Sequence, residues 1–184
     1  MDMSDMSDIS DSHKRYLVWL TGLSGAGKTT LAEALNQVLA PSIILDGDVL
    51  RQGLNRDLGF AAEDRIEVGR RTGEVAKLLL TAGFHVIVSS ISPYCQIREQ
   101  VRQSVGVDPF IEVYVECPLE ICQQRDPKGL YKKVQAGEIK QFTGIHQAYE
   151  EPLAPQAICP THLKSVDECI EIILAAIPGH NKEG

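Results

Sequence analysis

One short string constrains this chain more than any other: Gly22-Leu23-Ser24-Gly25-Ala26-Gly27-Lys28-Thr29, which satisfies G-x-x-x-x-G-K-[ST]. Its surroundings suit it. Residues 16–21 (YLVWLT) read as a short buried strand and residues 28–40 as a helix, so the glycines sit at a strand-to-helix turn. There they let successive backbone N–H groups turn toward a phosphate at a helix N-terminus. Lys28 supplies a cation, and the Thr29 hydroxyl can ligate magnesium. An ordinary glycine-rich turn is the alternative, and the spacing and context together weigh against it.

The remaining pattern is an alternation of strands and helices. Residues 42–45 (SIIL) form a second apolar run, closed by an expected turn at Asp46-Gly47-Asp48. Val68, Val75, Leu78 and Leu79 recur at helical spacing within 62–82, with Gly83 as the stop. Strands follow at 84–89 and 110–115, with a polar helix near 96–104 between them and a last helix over 165–177. Runs this apolar do not suit a sheet with one wet face, so the expected class is α/β: a mainly parallel sheet with helices on both faces. With 184 residues the chain supports one core. The expected division is a flexible acidic tail at 1–13, a phosphate-loop domain over 14–178 with a basic lid at about 126–152, and a polar tail at 179–184.

Charge and cysteine usage narrow the function. Eighteen Lys and Arg against 25 Asp and Glu leave a net charge of −7, which opposes binding to nucleic acid. No apolar run reaches the ~18 residues of a membrane span, and the acidic start does not read as a secretory signal, so a cytoplasmic address is expected. Five cysteines without a C-x-x-C pair argue against a disulfide framework or zinc knuckle. No guanine-reading N-K-x-D follows a later strand, and a motor would want a longer chain. Small size and a lysine-bearing segment (Lys128, Lys132, Lys133, Lys140) favour a small-molecule kinase whose lid excludes water.

Several residues are candidates for chemistry. Asp46 and Asp48 close a strand where a carboxylate could hold a magnesium-bound water or take a proton, the alternative being two solvated turn acids. Arg51, Arg65, Arg70 and Arg71 offer planar guanidinium groups for phosphate or sulfate, although some belong to the surface. Phe60 could stack on a base or pack in the core. Ser92, just past the third strand, could bind phosphate, become phosphorylated, or shape the turn before Pro93.

Longer strings resemble the adenylylsulfate (APS) kinase family: GLSGAGKTT at 22–30, LDGDVLRQGLNRDLGF at 45–60, EDR at 63–65, RRTGEVAKL at 70–78, ISPY at 91–94, FIEVYVECPLEICQQRDPKGLYKK at 110–133 and AGEIKQFTGI at 136–145. The resemblance implies a P-loop NTPase fold and ATP-dependent phosphorylation of the 3′-hydroxyl of adenosine 5′-phosphosulfate, with Mg2+ as cofactor. It implies ATP binding by Gly22, Ser24, Gly25, Ala26, Gly27, Lys28, Thr29, Thr30 and Arg125. Lys28, Asp46, Asp48 and Ser92 would serve catalysis, with metal held by Thr29 and, through water, Asp46. The acceptor would meet Arg51, Phe60, Arg65, Ile91, Lys140 and Phe142, the two phenylalanines sandwiching its adenine. Ser92 stands where some members carry a phosphoserine, and members often dimerise.

The chain departs from the family pattern at particular places. Val68 replaces an Asn expected to touch the acceptor. Ser90 replaces an aromatic residue, Cys95 an Arg, and His146-Gln147-Ala148-Tyr149-Glu150 stands for D-x-P-Y-E. Two other readings follow: a relative that phosphorylates a different nucleotide-like acceptor, and an ATP-binding regulatory module without turnover.

Overall fold

The computed structural model describes residues 14–180, so the expected tail at 1–13 and residues 181–184 of the expected tail at 179–184 lie outside the described residues. Five strands, β1 (Leu17–Thr21), β2 (Ser42–Asp46), β3 (His85–Ser89), β4 (Phe110–Glu116) and β5 (Ala157–Pro160), form one sheet in the order β2-β3-β1-β4-β5. Every neighbouring pair is parallel. Parallel neighbours need crossovers, and the described helices supply them: α1 (Lys28–Val38), α2 (Gly47–Gln52), α3 (Ala62–Thr81), α4 (Cys95–Val105), α5 (Leu119–Arg125), α6 (Leu130–Gln135) and α7 (Val166–Ala175). The class read from the sequence, a parallel α/β sheet covered on both faces, is the one observed.

β1 runs through the middle, and all five of its residues are buried. Successive side chains point to opposite faces. Leu17 and Trp19 pack with Val86, Val88, Phe110 and Val101, whereas Val18 and Leu20 pack with Ile87, Val113, Leu31 and Ile173. Burial on both sides explains why the strand is apolar without alternation. The loops leaving the C-terminal ends of β1, β2 and β3 therefore meet along one edge, where open parallel sheets hold their ligands.

Three of the four apolar positions expected of helix α3 lie on the core side, Val68 buried and Val75 and Leu79 packed against the core, whereas Leu78 is 72% exposed. Between them the buried stripe also carries Gly69, Thr72, Gly73 and Ala76. Small residues are needed because α4 lies close: a Cβ on Gly69 would stand 2.1 Å from Ile97 Cγ2, and one on Gly73 would stand 3.1 Å from Val101 Cγ2. The turn expected at 46–48 begins α2 instead. Asp46 caps that helix by accepting from the backbone N–H of Asp48 at 2.9 Å and of Val49 at 3.3 Å.

The lid segment is packed onto the domain. Tyr131 and Val134 of α6 are buried, as are Phe142 and Thr143, and the Tyr131 hydroxyl donates to the Ser24 carbonyl at 2.9 Å. Strand β5 carries no sequence signal of its own, being four residues long, and pairing with β4 defines it. Among the described residues no helix is long and apolar enough to cross a membrane.

Because Ile97 is fully buried and branched at Cβ, it cannot swing aside. Gly69→Ala is expected to lower unfolding free energy by about 1–3 kcal/mol. Urea denaturation checks this, with Gly69→Ala/Ile97→Ala recovering part of the loss.

Candidate active site

Gly22 leaves β1 and turns the chain so tightly that a Cβ there would lie 2.5 Å from the Val115 carbonyl oxygen; at Gly25 the same atom would lie 2.9 Å from the Cys122 carbonyl. Gly25 and Gly27 have positive φ, 79° and 102°, the left-handed region that favours glycine. Residues 22–27 thus press against β4 and α5 while Gly27 caps α1. Such a loop at a helix N-terminus suits binding of an anion.

Lys28 folds back over this loop and donates to the carbonyls of Gly22 at 3.0 Å and Leu23 at 2.7 Å. Burial is the main cause of a pKa pushed down to about 8. The nearby Lys128 ammonium adds to the effect, while Cys122, Asp48 and Asp46 pull against it. Thr29 Oγ1 donates to Asp46 Oδ2 at 3.1 Å and lies 3.4 Å from Ser89 Oγ. Asp46 Oδ1 meanwhile caps α2, so one carboxylate at the end of β2 links the first turn of α1 to the start of α2. Asp48 pairs with Lys128 of the lid.

These groups line one cleft of about 750 Å³ that continues past the acidic pair. On one side Arg125 is fixed by donating to the Thr161 carbonyl at 2.8 Å and to Thr161 Oγ1 at 3.1 Å, beside Val166 and Cys169. On the other side stands a wall of Arg51, Phe60, Arg65, Ile91 and Phe142. The Arg51 guanidinium lies 4.3 Å from the centroid of the Phe60 ring, and Arg65 lies 5.6 Å from it. Phe60 is 51% exposed, so its ring serves the cleft and not the core. Phe142 is buried edge-on against Tyr131, the centroids 5.0 Å apart.

Not every candidate from the sequence reaches the cleft. Ser24, Gly25, Gly27, Thr29 and Thr30 line it, whereas Gly22 and Ala26 act through the loop backbone behind it. Of the lid lysines only Lys128 lines it; Lys132, Lys133 and Lys140 face solvent. Arg70 and Arg71 are engaged by Glu67 at 2.7 Å and 2.9 Å, and Arg71 also by Asp57 at 2.7 Å, away from the cleft. Ser92 lies in the cleft wall, 5% exposed, with its hydroxyl accepting from Trp19 Nε1 at 3.0 Å. Thr161 was not legible beforehand: its hydroxyl donates to the Ala26 carbonyl at 2.6 Å while holding Arg125, and only a sheet with β5 in place brings it there.

A sequence model of a family described as adenylylsulphate kinase matches residues 14–160. The chain belongs to the adenylylsulphate kinase family. An adenylyl-sulfate kinase of Gloeothece citriformis is 54% identical over 161 residues, covering 85% of this chain and 90% of that protein. One from Oceanobacillus iheyensis is 48% identical over 167 residues, covering 89% and 84%. Among solved structures, the Mycobacterium tuberculosis APS kinase in complex with AMPPNP and APS superposes with a TM-score of 0.81 at 41% identity, covering 89% of this chain and 97% of that one. A gluconokinase from Sinorhizobium meliloti, at 17% identity and a TM-score of 0.61, shares the fold. The P-loop kinase fold and the family thus agree with the geometry of the phosphate loop.

Two predictions arise from this geometry. Lys28 in the free protein discharges near pH 8, and phosphate next to it favours the charged form. Binding of magnesium-ATP at pH 8.5 should therefore take up protons, and almost none at pH 6.5. Calorimetry in buffers of different ionisation heat reads this, and Lys28→Met should abolish the uptake. The sign for stability is the reverse of a salt-bridged lysine: the folded pKa lies below the ordinary value of 10.5, so the penalty is full below pH 8 and fades as pH rises from about 8 toward 10.5. Ser92→Ala removes the acceptor of a buried indole N–H, so stability should fall by about 1–3 kcal/mol in thermal or urea unfolding.

Proposed function

We propose that this chain transfers the γ-phosphoryl group of ATP to the ribose 3′-hydroxyl of adenosine 5′-phosphosulfate, giving 3′-phosphoadenosine 5′-phosphosulfate and ADP. One observation carries the reading: the phosphate loop, Asp46 and Asp48, and the arginine–phenylalanine wall line a single cleft. Family membership and the likeness to an APS kinase that binds AMPPNP and APS support it.

The residues divide the work by position. The backbone of residues 22–30 and Lys28 would take the ATP phosphates, Lys28 exchanging its two carbonyl acceptors for phosphate oxygens. Arg125, held by Thr161, would lie against the adenine of ATP. Arg51 and Arg65 suit the anionic end of the second nucleotide, and Phe60 with Phe142 suit the two faces of its base. The hydroxyl of the acceptor would then approach Asp46. Its proton passes to the Asp46 carboxylate as the new oxygen–phosphorus bond forms, and the bond from the γ-phosphorus to its bridging oxygen breaks to release ADP. Asp48 would hold Lys128 over this exchange.

The donor set fits magnesium, since Thr29 Oγ1, Asp46 Oδ2 and Ser89 Oγ are hard oxygens within reach of one another. Thr29 would hold the ion directly and Asp46 through water, and the bound ion would offset charge on the β- and γ-phosphates. Ser92 already accepts from Trp19 in the cleft wall, which favours direct transfer over a phosphoserine step. Ser92→Ala should accordingly keep activity within a few-fold of the parent.

An ADP-release assay with magnesium-ATP tests the reading. Release should require APS and should not follow from other nucleotides with a free 3′-hydroxyl; no release with APS overturns it. Asp46→Asn preserves the cap of α2, since Asn caps as well as Asp. It should nonetheless lower kcat by about 10²–10⁴ while leaving the unfolding midpoint near that of the parent.

A further inference from the structure

The two phenylalanines of the wall come from segments far apart in sequence, and something must set the gap between them. Phe60 sits on the stretch between α2 and α3, and Phe142 on the lid after α6. Arg65 reaches both segments, donating to the Phe60 carbonyl and, at 3.5 Å, to the Gln141 carbonyl, and Gln147 reinforces the tie. Gln147 Oε1 accepts from Arg65 Nε at 3.1 Å, and Gln147 Nε2 donates to the Phe60 carbonyl at 3.0 Å. Arg65 Nε also donates to that carbonyl, at 3.0 Å, closing a triangle of three polar groups. The backbone of Gln147 is fixed to the lid turn, its N–H donating to the Phe142 carbonyl at 3.2 Å and its carbonyl accepting from Gly144 N–H at 2.8 Å.

Gln147 does not itself line the cleft. It stands behind Arg65, which is 8% exposed and whose guanidinium needs acceptors wherever substrate does not supply them. A side-chain amide is suited to this place: it accepts from the arginine and donates to the carbonyl with a neutral group, leaving the cation's charge free for an anionic ligand. A carboxylate here would neutralise Arg65, and a shorter side chain would not span both partners.

We propose that Gln147 is a positioning residue for the acceptor nucleotide, acting through Arg65 to fix that guanidinium and to hold the Phe60 and Phe142 segments in place relative to each other. The inference rests on the acceptor reading of this wall given above. The hydrogen bonds of Gln147 go to Arg65, Phe60, Phe142 and Gly144, so its influence falls on acceptor binding and not on ATP binding.

The test compares KM for APS and for ATP in the parent, Gln147→Met, Arg65→Ala and the double variant. Methionine keeps the length and volume of glutamine but makes neither hydrogen bond. Gln147→Met is expected to raise KM for APS about five- to thirtyfold, with KM for ATP and kcat at saturating APS within about twofold. In the Arg65→Ala background the same substitution should change KM for APS by less than about twofold, since its effect travels through Arg65. Gln147→Ala, judged by the same split, serves if the methionine variant does not fold. An unchanged KM for APS overturns the inference, and so does an equal rise in KM for both substrates or a full effect without Arg65. A parent enzyme that turns over APS while these variants behave like it defeats the inference alone. Absence of APS turnover in the parent defeats the proposed function and this inference with it.

Discussion

The close approach of the phosphate loop to β4 and α5 is the constraint on which the rest of the site depends. A strand buried on both faces has one exit at its C-terminal end, and here that exit runs beneath the Val115 and Cys122 carbonyls with no room for a side chain. Glycine at 22 and 25 is therefore a packing requirement as much as a conformational one. The result is a loop pressed against β4 and α5. Thr161, from beyond β5, completes the anchorage by donating to the Ala26 carbonyl.

Charge in the cleft is balanced internally. Lys28 rests on two loop carbonyls, Thr29 donates to Asp46, and Lys128 of the lid meets Asp48. Each of these contacts uses a group that the proposed reaction would need elsewhere. Binding is then an exchange of partners in a site already in place, which limits the reorganisation needed at the moment of reaction. The lowered Lys28 pKa expresses the same balance, because carbonyl oxygens stabilise a buried ammonium less well than water does.

The second half of the cleft is assembled across long sequence distances. A buried ion pair, Arg98 Nε to Glu112 Oε1 at 2.7 Å, lies behind it, and Arg98 also donates to the Ser92 carbonyl at 2.6 Å and the Glu150 carbonyl at 2.7 Å. One guanidinium thus joins the turn after β3 to the return of the lid. Arg102 takes the other oxygen of Glu112 at 2.8 Å, so the buried carboxylate is fully partnered. Removing Glu112 would leave the Arg98 guanidinium without its carboxylate in the interior.

The sequence by itself determined the sheet class, the strand-to-helix placement of the phosphate loop and the acidic end of β2. Those features are local: apolar runs of strand length, glycine spacing and a lysine–threonine pair carry their own physical reasons within a few residues. Longer strings also revealed the family. Tertiary structure alone decided which charges serve the cleft. Arg51, Arg65, Arg70 and Arg71 look alike in sequence, yet the first two face Phe60 while the last two are engaged by Glu67 and Asp57 on the outside. On α3 the contact with α4 selects glycine at 69 and 73, and of the four expected apolar positions Leu78 is left in water. Gln147, Thr161 and Arg98 gave no local signal, because each acts on a partner at least 36 residues away or on several segments at once. Such roles depend on where the sheet order brings the chain, and no periodicity or motif of neighbouring residues encodes that.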